Sequence, residues 1–282
     1  MDTEYILNND LPYLMYRLRE AGLTVELDFD QTRRRMLLVL NGSVKWSVHD
    51  LTLRLSVADP AAHRAMMEPW IPHLVELTRL GQTVLRNPEE LRRRVHTEFV
   101  VDDLATNPRY SYCRQYPGEL KLILSLTDGD TRFELSDEQL DQCPLSVDEL
   151  FYYGQMNTDN VAVDRVEQMG PLTSLTTRSV YISAKAANVP ALTSRFQIHA
   201  PHGLFLMAPM CHVLCYSPVD PANILQQLMA VIHTIRYPMA AASRTPGMLL
   251  SRDILYYSPE GTYETITQPD NPEIHELLTN VD

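Results

Sequence analysis

The residues whose types and spacing could do chemistry fall into a few clusters. His199-Ala200-Pro201-His202-Gly203 sets two imidazoles in a turn-rich segment. Such a pair could ligate a metal or serve as a general base. No carboxylate follows at zinc-protease spacing, and no HExxH occurs in the chain. Cys211, His212 and Cys215 make a second cluster. If the segment is one strand, Cys211, Val213 and Cys215 share a face and His212 takes the other. Four strand steps then part the sulfurs by about 13 Å, too far for one zinc ion with ligand bonds of about 2.3 Å. Both thiols are therefore expected in the core.

Asp28 and Asp30 lie two residues apart, and paired carboxylates could hold a cation or move a proton. Glu26 continues the same alternation, so an acidic outer face of a strand accounts for all three. Arg33-Arg34-Arg35 and Arg92-Arg93-Arg94 are the basic runs, able to hold phosphate or a partner carboxylate and otherwise expected as solvated surface. There is no nucleophile elbow, phosphate loop or dinucleotide fingerprint. Tyr152, Tyr153, Met156 and Asn157 extend along one helical segment and form the candidate partner-binding set, because exposed Tyr and Met are interface material. A second core face for the same residues is the competing expectation.

These groups must be positioned by elements of two kinds. Leu11 to Ala21 carries Tyr13, Leu14, Leu18 and Ala21 at helical spacing, and Gly22 stops it. From Leu23 to Asp30, apolar and acidic residues alternate as in a half-buried strand. Met36–Leu40 is a continuous apolar run, Asn41-Gly42 a turn, and Val44, Trp46 and Val48 a return strand. Helical segments follow, interrupted at Asp59-Pro60, Pro69 and Pro72. Asn87-Pro88-Glu89-Glu90 opens another helix, expected to carry Leu91, Val95 and Phe99 on one side. Leu120–Leu126, an Asp128-Gly129 turn, and Phe133 with Leu135 predict a second hairpin. Short helices are expected after Ser136 and Ser146. Gly203–Tyr216 and a helix to Arg236 repeat the hairpin-then-helix order, and a last hairpin spans Ile254–Ile266. Strand–strand–helix units that recur in this way raise an internal duplication as a hypothesis. A tail rich in prolines and acids begins at Gln268. The breaker cluster Thr106-Asn107-Pro108 predicts two α+β units, 1–104 and 105–282.

The chain is also similar to the YtpQ-like bacterial family, a domain of unknown function. The likeness rests on Leu120 through Leu135 into Leu145-Ser146-Val147-Asp148-Glu149-Leu150. It rests also on the closing Leu250-Ser251-Arg252-Asp253-Ile254-Leu255-Tyr256-Tyr257 before Gly261. The layout covers most of residues 20–266. The apolar Gly203–Tyr216 departs from the polar, arginine-bearing segment expected there. The resemblance implies no activity, cofactor or catalytic residue.

Charge narrows the partners. The 282 residues carry a net charge of −12, and among 24 basic residues only Lys45, Lys121 and Lys185 are lysine. Such a chain repels phosphate backbones on average and attracts basic proteins. No apolar run reaches membrane-spanning length, the acidic start lacks the pattern of a secretory signal, and four cysteines do not make a disulfide scaffold. The expectation is an α+β protein of antiparallel hairpins packed against helices. It would be cytoplasmic and non-enzymatic, binding a protein partner (basic, or a second copy of the chain) with no cofactor, metal, nucleic acid or membrane. The alternatives are a hydrolase or metal-assisted enzyme near His199 and His202, and an immunity or chaperone-like protein for a basic partner.

Overall fold

The computed structural model describes residues 3–30, 35–42, 44–101, 110–118, 120–128, 131–243 and 249–267. It is an α+β protein whose sheets are antiparallel. Two compact units form, 1–91 with 136–146 and 92–135 with 147–282. The junction expected at 104/105 lies outside the described residues, as do the turn at 106–108, Arg33, Arg34, Gly129 and the tail from Gln268.

In the first unit, helix α1 (Leu11–Glu20) ends where Gly22 takes φ of 89°. A three-stranded sheet follows, β1 (Val25–Asp30), β2 (Arg35–Leu40) and β3 (Val44–Ser47), in that order. Asn41 and Gly42 take positive φ between β2 and β3, which those residue types tolerate. Helices α2 (Val48–Ser56) and α3 (Trp70–Thr83) follow, and Leu14, Leu18, Leu38, Leu40, Leu51 and Leu74 are buried with them. A Cβ on Gly81 would come within 2.2 Å of Val44, so glycine lets α3 approach β3. The half-buried reading of β1 is corrected: Val25 is buried, but Leu27 and Phe29 are exposed along with Glu26 and Asp28. Among the described residues, β1 is an edge strand with a neighbour on one side.

Helix α4 (Pro88–Arg94) begins as expected but is shorter than expected. Val95 and Phe99 belong to strand β4 (Val95–Val100), not to the helix. β4 pairs in full register with β6 (Lys121–Asp128), from Val95 opposite Leu126 to Val100 opposite Lys121. Val95, Thr97, Phe99 and Val100 are strand formers, and this long-range pairing overrides the local helical signal. The same pairing is why β4 belongs to the second unit. The far side of β6 is shared by β5 (Arg114–Gln115) at its start and β7 (Thr131–Glu134) at its end. The expected short helix α5 (Asp137–Leu140) is opened by a Ser136/Gln139 capping box and belongs to the first unit.

Helix α6 (Val147–Asn160) packs on β4. A six-stranded sheet completes the second unit in the order β13-β12-β10-β11-β9-β8. Its strands are β8 (Arg165–Met169), β9 (Leu172–Thr176), β10 (Leu204–Met210), β11 (Val213–Pro218), β12 (Leu255–Tyr257) and β13 (Tyr263–Thr265). A 3-10 turn (Ser183–Asn188) and helix α7 (Val189–Phe196) lead into β10. Helix α8 (Ile224–Ser243) follows β11 and lays Val231 and Ile232 against Leu172, Phe205, Met207 and Cys215. The three hairpin–helix successions all occur. Among the described residues, no helix is long and apolar enough to cross a membrane.

Candidate functional site

Helix α6 carries the candidate partner-binding set. Leu150, Phe151, Gly154 and Thr158 are its buried residues. Gly154 is required there, because a Cβ would lie 3.2–3.3 Å from the backbone of His96 and Thr97 and from Leu124. The Thr158 hydroxyl donates to the Thr97 carbonyl and accepts the Thr97 N–H, both at 3.0 Å. Asn157 is half-buried. Its Nδ2 donates to the carbonyls of Arg92 (2.8 Å) and Val95 (2.7 Å), satisfying the backbone where α4 gives way to β4. Tyr153 is half-buried, with the Arg92 guanidinium 5.3 Å from its ring centroid.

Tyr152 and Met156, one turn apart, are left outward, at 62% and 45% exposure. Asp148 and Glu149 lie exposed one turn before them. Asp148 accepts from Arg114 at 2.6 Å, and that guanidinium lies 4.0 Å from the Phe151 ring centroid. The outer face of α6 is thus an acidic, aromatic and methionine stripe.

A cluster of buried, electrostatically perturbed groups surrounds β4. Glu98 is buried, and burial pushes its carboxyl up to about 7 although Arg132 is beside it. Arg132 grips Glu98 through both Nε (2.7 Å) and a terminal nitrogen, and reaches Glu134 at 2.9 Å. Burial works against the Arg132 charge, but Glu98 and Glu134 outweigh it and raise its pKa. The Tyr110 hydroxyl donates to Glu134 at 2.6 Å. Burial also lowers His96, whose ring stacks on Tyr181 at 4.4 Å. Lys185 is 1% exposed, and burial lowers it to about 8. Its ammonium donates at 2.7 Å to the carbonyls of both Thr158 and Asp159, at the C-terminal end of α6 where a cation is favoured. Each of these ions is held by protein groups, as buried charges require.

The other chemical candidates are not gathered into a site. His199 and His202 are exposed, and the Asp220 carboxyl is lowered chiefly by hydrogen bonds within its own turn and least by His202. Cys211 and His212 occupy the turn between β10 and β11, so Cys211 does not share a strand with buried Cys215 as expected. Cys211 is half-buried, with its sulfur 3.4 Å from His212 Nδ1. Among the described residues, no group of three or more His, Cys, Asp or Glu could hold a metal ion. A dyad-like pair, Asp10 with His63 at 2.6 Å, is buried in the first unit. The other His63 nitrogen has no partner and no solvent contact.

No family model, no curated protein and no solved structure matches the chain.

Sequence reasoning singled out neither the Glu98–Arg132–Glu134 cluster nor a cleft of about 660 Å³ between β5 with its following turn and β13. The Tyr116 and Tyr263 rings meet edge to face at 5.0 Å. Their hydroxyls both donate to the Ala186 carbonyl, at 2.5 and 2.8 Å. Burial raises both phenols, Tyr263 to about 12. The signal in the sequence was tyrosine density at 110–116 and 256–263.

Proposed function

We propose that the chain is a non-enzymatic, cytoplasmic binding protein that acts through protein contacts, with the outer stripe of α6 as its contact surface. The observation that carries this reading is the exposure of Tyr152 and Met156 on successive turns of a helix whose inner face is locked onto β4. Tyrosine offers rigid area and methionine an adaptable one, and both are enriched at interface cores. Asp148 and Glu149 beside them, and the net charge of −12, favour a basic partner through steering. A second copy of the chain would set acid against acid at this stripe. An immunity or chaperone-like role toward a basic protein is the form of the reading that the acidity suits best.

The hydrolase reading near His199 and His202 gains no support, because both side chains stand exposed without a gathered acid and nucleophile. The likeness to the YtpQ-like family adds no activity to either reading. A photo-reactive residue placed at Tyr152, with a second at the exposed Val57 as control, tests the proposal in native lysate. A basic protein captured from position 152, weakened by salt and absent from position 57, is expected. The same proteins at both positions, or none at 152, would overturn it.

A further inference from the structure

We propose a second binding site, the cleft between β5 and β13, for an extended polypeptide segment of another protein that adds as a strand. Among the described residues, both walls are sheet margins whose ladders set the direction of their main-chain groups. Thr262 accepts from Ser258 N–H and Ile266 donates to the Ile254 carbonyl, both at 2.8 Å, across the β12–β13 ladder. Alternation then turns the N–H and C=O groups of Tyr263 and Thr265 away from β12 and into the cleft. On the opposite wall, Tyr116 N–H donates to the Leu120 carbonyl at 2.9 Å, closing the β5–β6 hairpin. Gln115 therefore turns its main-chain groups away from β6, toward the same cleft. Donors and acceptors presented in this alternating order are matched by another main chain in extended form.

The cleft is built rigidly. Its floor is the Tyr116–Tyr263 pair, tied through both hydroxyls to one carbonyl. Gly118, at φ of 74°, seats the β5–β6 turn against Asp253, where a Cβ would lie 3.0 Å away. The Ser251 hydroxyl holds the Gly118 carbonyl at 3.2 Å. A preformed site loses little ordering entropy when a segment enters. β13 is a short edge strand of three residues, so the segment that pairs with it is correspondingly brief. Exposed Glu264 lies at the cleft, so the matching segment carries Lys or Arg among uncharged residues.

The probe is a random linear-peptide phage library panned on the full chain. Enrichment of extended sequences bearing Lys or Arg is expected. A synthetic peptide of the enriched sequence should bind the Thr265→Pro variant roughly tenfold more weakly, because one main-chain donor is gone while the β12 ladder is untouched. Glu264→Lys should weaken it by a similar factor, and alternate N-methylation of the peptide should abolish binding to the wild-type chain. The N-methylated arm decides the matter even if Thr265→Pro does not fold. Binding must survive Tyr152→Ala, which separates this site from α6. No enrichment over an unrelated protein, equal binding of the N-methylated peptide, or loss with Tyr152→Ala would each overturn the proposal.

Discussion

Around Glu98 the charged groups are bound by one another, whereas along the outer stripe of α6 two large apolar side chains face water. Arg132 is divided between Glu98 and Glu134, and Lys185 between two carbonyls. Tyr152 meets the edge of the Tyr153 ring at 5.2 Å and is 62% exposed, and Met156 is 45% exposed. The buried ions are thus engaged by protein groups, and the proposed contact surface carries residues of another kind. Perturbed pKa values often mark active sites, but buried structural ion networks produce them too. What separates the two cases here is that the ions already have their partners.

The comparison breaks first at Arg132. Arg132→Ala leaves Glu98 buried beside Glu134 without a cation, and a loss of about 3 kcal/mol is expected at pH 8. At pH 5 the loss should be much smaller, because Glu98 then takes a proton and sheds its charge. The sign follows from linkage. Burial raises Glu98 above its ordinary value in the folded state, so its contribution to stability is full in acid and is lost as pH rises through about 7. Urea denaturation at the two pH values reads this directly.

Gly154→Ala tests whether the inner face of α6 is as tight as its contacts say. The new Cβ meets the β4 backbone, which cannot swing aside as a side chain can, and a loss of about 1–3 kcal/mol is expected in the same assay. Lys185→Met should cost about 1–2 kcal/mol by stripping two carbonyls of their donor. Burial depresses the wild-type amine to about 8, so its contribution is lost as pH falls through that value. The variant's deficit should therefore widen between about pH 8 and the ordinary lysine range.

Much of the fold is legible in the sequence because its signals are local. Gly22 ends α1, Ser136 opens α5, and the hairpins β2–β3 and β6–β7 sit where alternation and turn residues place them. What is hidden depends on pairing across long stretches of chain. Val95 and Phe99 match a helical face as well as a strand, and only β6, more than twenty residues on, decides between them. Leu27 and Phe29 alternate like core residues, yet their strand lies at a sheet edge. Tyr152 and Met156 are legible as candidates from helical spacing, whereas Asn157 at the same spacing meets two carbonyls that sequence distance conceals. Lys185 is one of only three lysines and lies in an alanine-rich stretch, the single hint that its ammonium is buried. The β5–β13 cleft joins residues about 150 positions apart by pairing rules no local pattern contains.

The smallest expected effect is the most telling. The double variant Tyr152→Ala/Met156→Ala is to be denatured in urea beside Arg132→Ala at pH 8. The account predicts a change within about 0.5 kcal/mol for the stripe, against a loss several times larger for the ion cluster. A stripe variant as destabilised as Arg132→Ala would show that Tyr152 and Met156 hold the fold together, and would contradict their assignment to a partner.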